Sequence, residues 1–185
     1  MALYQYCIPN FYYESITHID YPLLKKQGKS TLFFDLDNTI MSYDETLISE
    51  EIYSFLSKLS NDFTIVVVSN SGFQRVSTAC KSRKLKFIHS AKKPFHTGFI
   101  RALKLANATA SESVFIGDQL MTDILGSNRL GFTSILVFPV KKRSDHIFTR
   151  FNRFIEKRMI KKIKTYHNES YESVLKPYVE RGLHV

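Results

Sequence analysis

The pattern that most limits what this chain can fold into is an alternation. Short apolar, β-compatible runs break off on polar or acidic residues, and apolar residues at helical spacing follow. Thr31 to Phe34 is the clearest run, ending at Asp35-Leu36-Asp37-Asn38. Lacking a polar alternation, it reads as a strand buried on both faces, as strands inside a parallel sheet are. From Glu45 to Leu59, the residues Ile48, Ile52, Phe55, Leu56 and Leu59 recur at helical intervals. A second strand is predicted over Phe63 to Val68, ending in Ser69-Asn70-Ser71-Gly72, then a helix from Phe73 and a short strand around Phe87 and Ile88. Pro94 biases Lys93 away from helical angles, and a helix can run from Thr97 to Asn107. Ser113 to Ile116 stops at Gly117-Asp118, Gln119 to Arg129 is helix-compatible, and Thr133 to Phe138 reads as a further strand after a turn at Gly131.

This order predicts an α/β fold: a mostly parallel central sheet with helices on both faces. A length of 185 residues with 44% hydrophobic content suits one core. A single domain is expected over residues 1–164. Residues 165–185 would be a C-terminal extension in which Tyr171, Val174, Leu175 and Tyr178 could form a short apolar stripe, broken by Pro177.

Cys7 and Cys80 form no C-x-x-C pair, so free thiols in a reducing compartment are expected. No run approaches the roughly 20 apolar residues that span a bilayer. The N-terminus lacks a basic segment followed by an apolar core, which predicts a cytoplasmic protein. The formal charge of +9 calls for an acidic partner: nucleic acid, an anionic membrane or a phosphorylated substrate. Much of the excess lies in Lys141, Lys142, Arg143, Arg150, Arg153, Lys157, Arg158, Lys161, Lys162 and Lys164. Apolar residues Ile147, Phe148, Phe151, Phe154, Ile155, Met159 and Ile163 recur among them at helical spacing. This helix either docks its stripe on the core and solvates its basic face, or lies on a membrane surface.

In a parallel sheet, ligands gather beyond the carboxyl ends of the strands, where the polar residues occur. Asp35 and Asp37 would share a side on an ideal strand, although a turn at the strand end can aim them apart. Like charges in a low-dielectric cleft need a cation or proton. A hard ion such as Mg²⁺ suits carboxylate and carbonyl oxygens. Asp118 and Asp123 add hard ligands, and Gly117 permits a close backbone approach. Ser69 offers a hydroxyl donor and Lys93 a positive charge for a phosphoryl group. Taken singly, each has a bland reading as a turn residue, a solvated lysine or a helix-terminal charge. Together they are more specific, because they gather at the ends of several different predicted strands.

These residues resemble the motifs of the haloacid dehalogenase superfamily. Asp35-Leu36-Asp37-Asn38-Thr39 is similar to its D-x-D-x-T motif, Ser69 to its second-motif hydroxyl, Lys93 to its lysine, and Gly117-Asp118 through Asp123 to its final acidic motif. Within the superfamily the chain resembles the small YqeG-type phosphatases related to mitochondrial phosphatidylglycerophosphate phosphatase, over roughly Pro9 to Lys162. Shared features include Lys93-Pro94, Asn128-Arg129 and the run Thr149 to Glu156. It departs from those relatives at Ser69-Asn70-Ser71-Gly72, which lacks paired asparagines, and at Phe95-His96-Thr97-Gly98, where a basic segment is usual.

The resemblance implies a Rossmann-like fold and Mg²⁺-dependent phosphomonoester hydrolysis. Asp35 would be the nucleophile that becomes an aspartyl phosphate, and Asp37 the general acid and base. The metal would be held by the Asp35 carboxylate, the Asp37 backbone carbonyl and Asp118, with Asp123 ligating it or orienting its waters. Ser69 and Lys93 would grip the phosphate, while Asn38 and Thr39 organise the loop. Short intervals around these motifs leave no room for a large cap domain, which suits a bulky phosphorylated glycerolipid or a headgroup presented at a membrane. The implied reaction converts phosphatidylglycerophosphate to phosphatidylglycerol, with the protein peripheral on the inner face of the membrane. The alternatives are a phosphatase for nucleotides or nucleic-acid ends, and a noncatalytic membrane- or RNA-associated scaffold. His89 and His96 read as structural or exposed.

Overall fold

The computed structural model describes residues 2–81, 83–141 and 147–183, without the side chains of 147–153 and 183. Lys142, Arg143, Asp145 and His146 lie outside the described residues, as do the side chains of Arg150 and Arg153.

Six strands form one sheet: β1 (Phe11–Tyr13), β2 (Thr31–Phe34), β3 (Thr64–Val68), β4 (Lys86–Ile88), β5 (Ser113–Gly117) and β6 (Thr133–Val137). Their order is β1-β6-β5-β2-β3-β4, and every neighbouring pair is parallel. All strand carboxyl ends therefore point to one edge. The pleat sends alternate residues to opposite faces. Leu32, Phe34, Val67, Ile116 and Ile135 meet α1 (Tyr21–Lys26), α2 (Glu50–Leu59) and α3 (Phe73–Lys81) on one face. Phe33, Val66, Val68 and Phe115 meet α4 (His96–Ala106) on the other. On that same face, Leu136 joins Leu120, Ile124 and Leu125 beneath α6 (Ile147–Tyr166), together with Tyr171, Leu175 and Tyr178.

The central strands match the sequence prediction, and the differences have local causes. α2 begins at Glu50 rather than Glu45, because the Ser49 hydroxyl caps it by accepting from the Ile52 N–H at 3.3 Å. The stretch Gln119 to Arg129 is a π turn, Leu120–Ile124, followed by the short helix α5 (Leu125–Asn128). After α6 come α7 (Asn168–Ser170), a π turn (Tyr171–Leu175) and α8 (Lys176–Leu183). Pro177 therefore does not end the helix: helical residues run unbroken from Asn168 to Leu183, with the π turn just before the proline. β1 has no counterpart in the sequence reading. It is anchored at the sheet edge by Asn10, whose Oδ1 accepts from the Ser134 N–H at 2.8 Å.

Only the loop 35–49 joins β2 to α2 and only α3 with its short loops joins β3 to β4, so among the described residues neither interval holds a large cap. No described helix is long and apolar enough to cross a membrane.

Candidate active site

Asp35 is the first residue past β2, and its N–H donates to the Ile116 carbonyl at 2.9 Å, which keeps it in register with β5. The chain then doubles back. Ile40 and Met41 N–H groups both donate to the Leu36 carbonyl, and the Asn38 N–H donates to Met41 at 2.7 Å, with Asn38 in the left-handed region at φ 63°. Asparagine tolerates that conformation better than most residues. Leu36, Asn38 and Thr39 are buried, and the tight loop sends the carboxylates of Asp35 and Asp37 to different partners.

The Asp35 carboxylate faces Lys93, whose Nζ lies 2.7 Å from both Asp35 Oδ1 and Asp123 Oδ1 and donates to the Val68 carbonyl at 2.9 Å. The Lys93 side chain is only 2% exposed, so this is an internal charge cluster. Lys93 is held from behind by Asn70, which accepts from the Lys93 N–H at 2.7 Å and donates to its carbonyl at 3.1 Å. The Lys93–Pro94 peptide is cis.

Gly117 delivers Asp118 and lets Asp123 close over the strand end. A Cβ at position 117 would lie 2.4 Å from Asp123 Cγ, a distance no real side chain tolerates. Asp123 Oδ2 accepts from the Gln119 N–H at 3.1 Å, and the Leu120 N–H of the same loop donates to Glu156 of α6 at 2.6 Å.

Asp35, Asp118 and Asp123 are all buried, and each offers a carboxylate oxygen within 4.8 Å of the others. Burial, opposed by Lys93 and reinforced by Asp123, Asp118 and Asp37, pushes the Asp35 carboxyl well above its ordinary range. Burial alone would pull the Lys93 ammonium down, but Asp123 and Asp35 overcome it and hold the lysine above its usual value. One ammonium cannot offset three carboxylates. An all-oxygen donor set of this kind fits a hard divalent cation.

Asp37 is turned toward β3. Its Oδ2 accepts from the Ser71 hydroxyl at 2.7 Å and the Ser69 hydroxyl at 3.2 Å, and its Oδ1 lies 2.7 Å from Arg75 Nε. Its carboxylate stands outside the acidic triad. The structure thus brings Asp35, Lys93, Asp118 and Asp123 into one cluster, with Asp37 and Ser69 beside it. His89 packs edge-on against Phe73 and bonds Ser90.

Sequence reasoning missed Asn70, Ser71, Arg75 and Glu156. Ser71 and Arg75 had a usable signal, since they follow the same strand end as Ser69. Asn70 and Glu156 act through backbone groups of distant segments, which spacing does not reveal.

A fully parallel sheet with helices on both faces, and with a lysine-bridged cluster of strand-end aspartates at its carboxyl edge, defines the class: a phosphatase of the haloacid dehalogenase type. Within that class, the chain belongs to the mitochondrial PGP phosphatase family, whose sequence model matches residues 1–141. It is 33% identical over 163 residues to the probable phosphatase YqeG of Bacillus subtilis, covering 88% of this chain and 94% of that protein. It is 26% identical over 169 residues to phosphatidylglycerophosphate phosphatase 1, chloroplastic/mitochondrial, of Arabidopsis thaliana, covering 85% of this chain. It spans about half of that plant protein, at 48%. Among solved structures, a HAD phosphatase from Thermococcus onnurineus superposes with a TM-score of 0.48 at 13% identity, over 63% of this chain and 88% of the other.

Proposed function

We propose that the chain removes the terminal phosphate of phosphatidylglycerophosphate at the surface of an anionic membrane, with Mg²⁺ as cofactor. The observation that carries the chemistry is the buried Asp35–Lys93–Asp123 contact with Asp118 alongside. The leaving group is read from the family and from the plant relative.

In this reading Asp35 attacks phosphorus in line, forming an aspartyl phosphate as the bond to the lipid alkoxide breaks. Asp37, beside the cluster, gives its proton to the departing oxygen and later takes one from the water that hydrolyses the intermediate. Lys93 and the Ser69 hydroxyl hold phosphoryl oxygens. Asp35, Asp118 and Asp123, with the Asp37 backbone carbonyl, would hold Mg²⁺. When bound, the ion offsets carboxylate and phosphate charge and orients a phosphoryl oxygen.

Access from a membrane is supported by the same edge. Leu47, Phe73, Phe95 and Val140 are all more than half exposed, and each follows the carboxyl end of a strand: β2, β3, β4 and β6 respectively. On α6, Lys157, Arg158, Lys161, Lys162 and Lys164 are exposed while Glu156 and Ile163 point inward. Basic residues near anionic lipid contribute roughly 1 kcal/mol each.

A phosphate-release panel tests the reading. The purified chain should release phosphate from phosphatidylglycerophosphate in anionic vesicles, depend on Mg²⁺, and lose on the order of 10⁴-fold in turnover with Asp35→Asn. A folded, metal-binding protein that prefers a nucleotide or a phosphorylated DNA end to the lipid would overturn it.

A further inference from the structure

Among the described residues, Arg75 is a cationic side chain of the site that the mechanism above leaves without a task. It stands in the first turn of α3, just past the carboxyl end of β3, with its side chain 23% exposed. Its Nε and Nη2 lie 2.7 and 2.6 Å from Asp37 Oδ1. Nη1 donates to the Glu45 carbonyl at 3.0 Å, and the guanidinium rests 4.6 Å from the centre of the Tyr43 ring. The loop 42–45 and Tyr43 thus hold the guanidinium alongside its contact with Asp37.

Its location carries chemical meaning. Asp37 serves the leaving oxygen, so a group bonded to Asp37 lies beside the leaving group. Lys93 instead bridges Asp35 and Asp123. A monoester phosphate already has Lys93, Ser69 and the hard-cation site for its charge. A further cation on the leaving-group side matches a leaving group that is itself anionic. An open groove of about 410 Å³ continues from this point, lined by Thr46, Gly72, Gln74, Arg75 and Thr78. The planar fork of arginine suits phosphate oxygens better than a point charge does.

We infer that Arg75 and this groove form a second anion subsite, in which the guanidinium binds the phosphodiester of the leaving lipid, one glycerol unit from the scissile bond. The inference rests on the phosphatidylglycerophosphate reading and makes Arg75 the residue that selects that substrate. Arg75 exchanges a contact with Asp37 for one with the diester when substrate enters, which frees the Asp37 carboxyl for proton transfer.

The test compares two soluble dihexanoyl lipids: phosphatidylglycerophosphate, which has both phosphates, and phosphatidic acid, which has the monoester alone. Arg75→Ala should lose on the order of 100-fold in kcat/KM toward the first, chiefly through KM, and under about 5-fold toward the second. Arg75→Lys should recover part of the loss, and circular dichroism checks that both variants fold. Equal losses on both lipids would make Arg75 a brace for Asp37 and overturn the subsite, as would no loss on either. If the wild type hydrolyses p-nitrophenyl phosphate but neither lipid, the substrate reading fails, and the subsite is then judged by inhibition. Dihexanoyl phosphatidylglycerol, which carries only the diester, should compete with p-nitrophenyl phosphate in the wild type and at least 10-fold more weakly in Arg75→Ala. Equal inhibition, or none, removes the subsite as well.

Discussion

Asp35 sits where its charge is hardest to keep. Its folded-state pKa is held above the unfolded value of about 3.9. The folded chain therefore binds that proton more tightly than the unfolded one. The stability so gained is fully present below about 3.9 and is lost as pH rises through the raised folded value. In chelator, the wild type should melt higher as pH falls from neutral into that window. Asp35→Asn should flatten the rise and melt higher than the wild type at neutral pH, where Mg²⁺ should stabilise the wild type more than the variant. Coincident melting profiles for the two proteins would show that Asp35 is not under this strain. Lys93 belongs to the alkaline limb, since its raised pKa contributes stability below the ordinary lysine value and loses it above the folded one. The two cysteines take no part. Burial pushes both Cys7, with help from Glu156, and Cys80 up to about 12, so each stays a thiol at neutral pH.

At the scale of elements, α6 decides how the acidic loop is held. Its sequence suited either a docked or a membrane-lying helix, and the structure docks it: Ile163 is fully buried and Met159 and Ile160 pack beside it. Among the described side chains, Phe154 departs from the docked stripe: it is 54% exposed and carries the Arg158 guanidinium on its ring. Glu156 is buried among the basic residues because it accepts from the Leu120 N–H, at the start of the turn that bears Asp123. Glu156→Ala should cost about 1–3 kcal/mol, the penalty for a buried donor left unsatisfied. It should also weaken Mg²⁺ binding by loosening the loop between Asp118 and Asp123. Glu156→Gln retains an acceptor and should lose less on both counts. Urea midpoints and Mg²⁺ titrations check this, and equal behaviour of the two variants would exclude the hydrogen bond as the cause.

Across the molecule as a whole, residues Tyr171 to Tyr178 pack into the core. Tyr171, Leu175 and Tyr178 are at most 8% exposed and share a cluster with Leu136 of β6. Burying each such side chain contributes about 1.5–3 kcal/mol. Their sum is comparable with the roughly 5–15 kcal/mol that holds a domain together. A chain ending at Lys164 should therefore lose cooperative unfolding in urea and bind a hydrophobic dye. A sharp transition at an unchanged midpoint would place the segment outside the folding unit.

The α/β alternation, the parallel central strands and the strand-end positions of Asp35, Asp118 and Lys93 were legible along the chain, because periodicity and turn chemistry act over a few neighbouring residues. Tertiary structure alone decided the rest. β1 is three residues long, too short to show a period, and exists because β6 offers it an edge more than a hundred residues away. The pairing of Arg75 with Asp37, the clasp of Asn70 on Lys93 and the reach of Glu156 to Leu120 depend on how the twisted sheet and its loops bring distant segments together. Spacing along a chain carries no record of that meeting.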